Sequence, residues 1–257
     1  MHVAIVGGTG VYALNGLEDV QQQGVDTPYG RAHVVVGRMQ GKEIAFMPRH
    51  GEQHSIPPHR INFRANIKAL RELGIRSIIA TNAVGSLRDD WLPPALVLID
   101  QFIDNTKARA DTFFDGDDDS VEHVDMTEPY CPRLREAIRG AAREQGLELY
   151  DGGTYLCAEG PRFETPAEIR MYRTWGADVV GMTNYPEVAL AREAGICYAA
   201  ICMVTNLAAG ISPTPISHLE VVESMTAQAD QVCGLVLAAA LAEAEEVECG
   251  CREDGSG

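Results

Sequence analysis

Val3-Ala4-Ile5-Val6-Gly7-Gly8-Thr9-Gly10 is the stretch on which the fold turns. Four apolar residues in a row are too few for a helix and suit a buried strand, and the glycines behind them force a tight turn. A strand feeding a glycine turn opens the chain, and working outward the alternation continues. His33 to Arg38 and Glu43 to Met47, separated by Gln40-Gly41, read as a β-hairpin. From Arg60 to Leu73 the apolar Ile61, Ala65, Ile67, Ala69, Leu70 and Leu73 have helical spacing, closed by Gly74. Ser77 to Thr81 and Ala95 to Ile99 are buried-strand runs, and Lys107 to Glu128 is a long acidic surface loop. Helices are predicted at Pro132 to Gln145, Pro166 to Arg173 and Pro186 to Ala194, then a strand at Tyr198 to Thr205. A long C-terminal helix spans Ser217 to Glu246, with Ser217 as its cap and Glu220 three residues on. No repeat or linker interrupts this order, so a single α/β domain over residues 1–247 is the economical reading, with 248–257 expected to form a disordered tail.

At 257 residues the chain is long enough for one such domain with a single core. Its formal charge of −16 argues against nucleic acid, which needs a basic face. The same charge repels an anionic substrate at long range, so local Arg side chains and backbone N–H groups must supply any attraction. Lys42, Lys68 and Lys107 are the only lysines, and the remaining basic residues are all Arg. No apolar run reaches the ~18 residues of a membrane span, and the N-terminal sequence reads straight into a strand; both point to a cytoplasmic protein with no membrane partner. The seven cysteines are scattered apart from Cys249-Gly250-Cys251, and no His or Cys cluster has zinc-ligand spacing, so no metal is expected.

Two later segments carry chemistry: Gly160-Pro161-Arg162-Phe163-Glu164-Thr165 and Thr205-Asn206-Leu207-Ala208-Ala209-Gly210. They offer an aromatic face, a carboxylate and a carboxamide. A flat heterocycle with donors and acceptors on its edge needs that set, and a 6-oxopurine fits it. The plainer reading makes the first a helix start, with Thr165 as N-cap, Pro166 at N1 and Glu168 at N3, and the second a loop. Gly8-Thr9-Gly10-Val11-Tyr12-Ala13 also fits the loose dinucleotide pattern G-x-G-x-x-A, but Asn15-Gly16 breaks the helix that should follow.

With Val6-Gly7-Gly8-Thr9-Gly10 stand Arg49-His50-Gly51 with Gln53-His54, Asn62-Phe63-Arg64-Ala65-Asn66, Ile99-Asp100-Gln101-Phe102-Ile103-Asp104, Arg173-Thr174-Trp175-Gly176-Ala177-Asp178 and Pro186-Glu187-Val188. In this order, over roughly residues 1–245, the chain resembles the trimeric purine nucleoside phosphorylase superfamily, most closely its 5'-methylthioadenosine phosphorylase branch. The resemblance implies a mixed, partly barrel-like central sheet flanked by helices, a homotrimer, and cleavage of a purine nucleoside by inorganic phosphate without cofactor or metal. It places Thr9, Arg49, His50, Asn82, Ala83 and Thr183 around phosphate, with Asn82 where relatives carry Thr. Met182 would lie beneath the ribose, and Phe163, Glu164 and Asn206 would hold the base, Glu164 and Asn206 as catalytic groups. His123, from a neighbouring subunit, and His218 are both candidates for the pocket around the 5' substituent; His54 and His59 are read as structural.

Adenine-type relatives carry Asp at positions 206 and 208, and this chain has Asn206 and Ala208. An Asn amide donates to a C6 carbonyl and accepts from protonated N7, which favours 6-oxopurines; a strict 5'-methylthioadenosine phosphorylase is the alternative. A nucleoside-binding protein without turnover and a nucleoside hydrolase are further alternatives, separated by the phosphate dependence of base release. Cys249 and Cys251 are read as free tail thiols, or as a redox-labile bridge of the kind found in some heat-stable relatives.

Overall fold

A computed structural model describes residues 1–8, 17–51, 55–116, 120–243 and 249–252, apart from the side chains of His218 and Arg252. The mixed sheet is laid out around its central strands. β1 (Val3–Gly7) lies parallel between β4 (Lys42–Pro48) and β5 (Ser77–Ser86). β4 continues antiparallel into β3 (Gly30–Met39) and then β2 (Glu18–Thr27) at the edge. Past β5 the sheet branches. One arm runs through β10 (Val179–Gly181) and β9 (Thr154–Ala158) to β7 (Gln101–Asn105). The other runs through β11 (Cys197–Leu207) and β6 (Ala95–Leu98) to β8 (Tyr150–Asp151).

Helices cover both faces of this sheet. Phe63, Ile67 and Leu70 of α1 (Phe63–Glu72) and Val188, Leu190 and Ala191 of α4 (Glu187–Glu193) pack on one side, against Val6, Ile78, Tyr198 and Ala200. Leu134 and Ile138 of α2 (Pro132–Glu144) and Val232, Leu235 and Val236 of α5 (His218–Ala242) pack on the other, against Val3, Ile5, Ala199 and Ile201. Alternate residues of one strand thus serve two cores, the signature of a sheet buried on both faces. Each such Leu, Ile or Val stabilises the fold by about 1.5–3 kcal/mol. α5 is long and apolar enough to span a membrane by composition, yet half of its most apolar window is buried inside the protein.

The helix starts are those the sequence announces. Asn62 caps α1 by accepting from Ala65 N–H, and Thr165 with Glu168 forms a reciprocal capping box at α3 (Pro166–Thr174), as Ser217 with Glu220 does at α5. Three boundaries differ from expectation. β5 runs on to Ser86, because β11 and β10 both pair with its second half, so Asn82-Ala83 falls within the strand and not at its end. β11 runs on to Leu207, which brings Asn206 into the sheet. The expected disordered tail is overturned in part: Gly250–Arg252 forms a short 3-10 turn with Cys251 buried against the α2–α5 core.

Candidate active site

The parallel strands β1, β4, β5 and β11 point their carboxyl ends at one cavity of about 560 Å³, the usual place for a ligand in an open α/β sheet. Its floor is laid by Gly8 after β1, Arg49-His50 after β4, Asn82-Ala83 in β5, and Met182-Thr183 after β10. Arg49 is 1% exposed. Its Nε and Nη2 donate to the two Glu187 oxygens at 2.7 and 2.6 Å, Nη1 to the Thr81 carbonyl at 3.0 Å, and Nη2 to the Val6 carbonyl at 3.5 Å. Of five guanidinium hydrogens that leaves one, on Nη1. A Cβ on Gly8 would stand 3.7 Å from that Nη1 and 3.6 Å from the His50 ring, so the bare glycine backbone borders both groups. Burial works against the Arg49 charge, but the Glu187 carboxylate more than restores it, and the guanidinium is held firmly protonated.

Around this pair the polar groups interlock. Tyr198 donates its hydroxyl to Glu187 at 2.8 Å, and burial pushes that phenol well above its ordinary pKa. His50 is oriented by a 2.8 Å contact from Nδ1 to the Ile56 carbonyl. Asn82 Nδ2 donates to Thr183 Oγ1 at 2.9 Å, while Asn82 Oδ1 and Thr81 Oγ1 are buried without a protein partner. Thr183 is fixed through its backbone N–H, which donates to Tyr155 Oη at 3.2 Å. A Cβ at Gly181 would come within 2.1 Å of that oxygen, so only glycine fits there. Met182 is packed against Gly160 in a comparable way, 2.6 Å from where a Cβ would be.

Across the cavity stand Phe163, Glu164 and Asn206. Phe163 precedes α3 and is 37% exposed, with its ring at the rim. Glu164 is largely enclosed, its Oε1 is buried without a partner, and burial raises its pKa. Asn206 sits at a bulge in β11: Val204 and Asn206 face consecutive residues Val84 and Gly85 of β5, leaving Thr205 as the extra residue. Thr205 Oγ1 donates to Asn206 Oδ1 at 2.9 Å and Asn206 Nδ2 donates to the Leu207 carbonyl at 2.9 Å. The amide is thus oriented with one hydrogen and one lone pair still available. Ile56, Pro57 and Pro58 on one side, and Ile216, Val221 and Met225 at the start of α5 on the other, form an apolar mouth.

This enclosure combines an anchored cation, oriented amides and hydroxyls, a raised carboxyl and an apolar rim, a composition suited to an anion beside a flat polar heterocycle. Residues 2–241 match the model of the Phosphorylase superfamily. The chain belongs to that superfamily. It is 52% identical to a Dictyoglomus turgidum protein named "Probable 6-oxopurine nucleoside phosphorylase", over 98% of this chain and 95% of the relative. It is 45% identical to an S-methyl-5'-thioadenosine phosphorylase of Thermofilum pendens, over 97% and 95%. The solved structure of a Schistosoma mansoni methylthioadenosine phosphorylase in complex with adenine superposes with a TM-score of 0.90 at 35% identity, covering 95% of this chain and 93% of that one.

For a phosphorylase of this kind, the sequence reading is brought together at nine positions: Arg49, His50, Asn82, Ala83, Phe163, Glu164, Met182, Thr183 and Asn206 all line the cavity. Thr9 and His54 fall outside the described residues, as does the His218 side chain. His123 is exposed on the segment between β7 and α2 and does not line the cavity within this chain. Glu187 went unassigned, although it stands in the quoted Pro186-Glu187-Val188; a buried carboxylate at a helix start across from a conspicuous Arg is the signal that marks it. The apolar mouth is also new to the structure, because Ile56, Ile216, Val221 and Met225 come together only in the fold. Sequence spacing hid a cluster that folding assembles from Cys131, Cys197, Cys249 and Cys251, whose sulfurs lie within 4.8 Å of one another.

Proposed function

We propose that the protein cleaves purine nucleosides, or their 5'-methylthio analogues, with inorganic phosphate, giving free purine and the corresponding ribose 1-phosphate, and that it prefers 6-oxopurines. The observation that carries the preference is the pair formed by Glu164, with an unpartnered buried Oε1, and Asn206, an amide with one donor and one acceptor left over. A 6-oxopurine supplies N1–H to Glu164, a C6 carbonyl to the Asn206 N–H, and a protonated N7 to Asn206 Oδ1. An adenine presents an amino group at C6 and no N1–H, which would set donor against donor and leave Glu164 unanswered, a mismatch worth about 1–3 kcal/mol per buried group.

Phosphate would sit on the floor, taking the remaining Arg49 hydrogen and donors from Gly8 N–H and Asn82, with Thr183 beside it orienting the Asn82 amide. Turning the Asn82 amide over suits that occupant. Thr183 Oγ1 would then donate to Oδ1, and Nδ2 would point at the phosphate. The nucleophilic oxygen attacks C1' from this side while the C1'–N9 bond breaks on the other, and Met182 supports the ribose between. Negative charge flows into the departing purine, where Asn206 and Glu164 stabilise it. No electrons are exchanged with a cofactor, and phosphate itself is the co-substrate. The apolar mouth at Ile56, Ile216, Val221 and Met225 favours a methylthio group at the 5' carbon over a free hydroxyl. By resemblance, a second subunit of a homotrimer would bring His123 to such a pocket; light scattering measures the assembly.

Base release from inosine, adenosine, methylthioinosine and methylthioadenosine, each with and without phosphate, tests the reading. Phosphate-dependent cleavage of the two inosine compounds is expected, with methylthioinosine the better. Preferential cleavage of methylthioadenosine would overturn the base assignment and leave the strict methylthioadenosine reading, and turnover without phosphate would make the protein a hydrolase.

A further inference from the structure

Four of the seven cysteines converge at the end of the molecule away from the cavity. Cys131 is the N-cap residue of α2, Cys197 is the first residue of β11, and Cys249 and Cys251 flank Gly250 beyond α5. Three of the four are buried and Cys249 is half-buried. Cys131 and Cys251 Sγ each lie 3.4 Å from Cys249 Sγ, and all four sulfurs lie within 4.8 Å of one another. Zn–S bonds of about 2.3 Å in a tetrahedron place the sulfurs about 3.8 Å apart. The 3.4 Å separations and the 4.8 Å limit on the rest are compatible with that value, and all four cysteines are free.

We propose that Cys131, Cys197, Cys249 and Cys251 form a tetrathiolate site for one zinc ion that ties the segment after α5 to the starts of α2 and β11. Zinc binding requires the four thiol protons to leave for solvent while four Zn–S bonds form, giving a centre of net charge −2 with no change of oxidation state. The surroundings suit that charge. The Arg133 guanidinium, in the first turn of α2, approaches Cys197. A helix N-terminus adds its positive end at Cys131. The site is structural: Cys197 and Asn206 lie at opposite ends of β11, separated by about 30 Å of strand at ~3.3 Å per residue. No open coordination position remains for a water or substrate.

The test is the metal and thiol content of the full chain, purified without metal-affinity chromatography or added zinc. The expected result is about one zinc per chain, released by a mercurial reagent, with all seven cysteines titrating after denaturation in chelator without reductant. Cys251→Ser should bring zinc to below about a tenth of an ion per chain and lower the thermal midpoint, leaving kcat for phosphorolysis within about twofold, whereas Cys233→Ser should retain the metal. Zinc-free protein with fewer than seven reactive thiols would mean disulfides, and zinc-free protein with all seven would mean an unliganded thiol cluster; either overturns the proposal. Because the wild-type measurement decides it, a variant that fails to fold does not rescue it. A correct zinc site with no turnover of any nucleoside would separate this proposal from the enzymatic one.

Discussion

The two ends of the cavity are built differently. At the floor, Arg49, Glu187, Tyr198, Asn82 and Thr183 are almost fully buried and joined by short hydrogen bonds between residues from several elements. At the base end, Phe163 is 37% exposed and Glu164 has an oxygen with no partner. The floor is organised before any ligand arrives, as befits the group common to every substrate. The base end is left unsatisfied, so that only a heterocycle with the right edge completes it. Affinity for phosphate therefore depends on a network, and choice of base on single side chains.

Breaking the network should have the largest effect. Arg49→Ala strands the Glu187 carboxylate in the interior and is expected to lower stability by about 3–5 kcal/mol and to raise the KM for phosphate strongly. Denaturant unfolding and phosphate saturation curves measure both; an unchanged phosphate KM would remove Arg49 from the cradle. Next comes a change of base reader. Asn206→Asp should shift the inosine-to-adenosine ratio of kcat/KM toward adenosine by about 10–100-fold, as one mismatched buried polar contact predicts. An unchanged ratio would remove Asn206 from base recognition.

Glu164→Gln sharpens the comparison through pH. Burial raises the Glu164 pKa, so the folded protein takes up this proton at a higher pH than the unfolded chain does. The stability it contributes is present below the unfolded carboxylate value and is lost as pH rises through the raised one. The Gln variant lacks that loss and should melt higher than wild type at neutral pH, by about 2–4 °C per kcal/mol relieved, with the gap closing toward acid. Its inosine kcat/KM should be lower at neutral pH and flat where that of the wild type falls on acidification. The smallest effect is expected from Asn82→Thr, because a hydroxyl also donates to phosphate; a change beyond about threefold in phosphate KM would show that the amide matters for more than one hydrogen bond.

Much of the fold is legible in the sequence because its elements carry strong local signals. Val3 to Val6, the capping boxes at Thr165 and Ser217 and the Gln40-Gly41 turn all appear where their residue types place them. β2 is illegible. Its Gln21-Gln22-Gln23 core has no apolar alternation, and it becomes a strand only because β3 offers a ladder at the sheet edge. β8 and β10 are too short to show a period. At the site, groups set in recognisable motifs were legible, whereas Glu187 acquires its part only when the start of α4 meets Arg49 beyond the end of β4, and the four cysteines only when three distant segments meet.

The bulge at Thr205 has a consequence for reading sequences of this kind. Before it, odd and even residues of β11 serve opposite cores; after the extra residue the phase slips, and Thr205 and Asn206 both border the cavity. Side-chain direction in a strand has a period of two, so a single insertion or deletion near Val204 would bring a neighbour to the purine in place of Asn206 without altering any letter of the motif. Specificity here is written in phase as well as in identity, and two chains aligned letter for letter across this strand compare the same function only if both keep the slip.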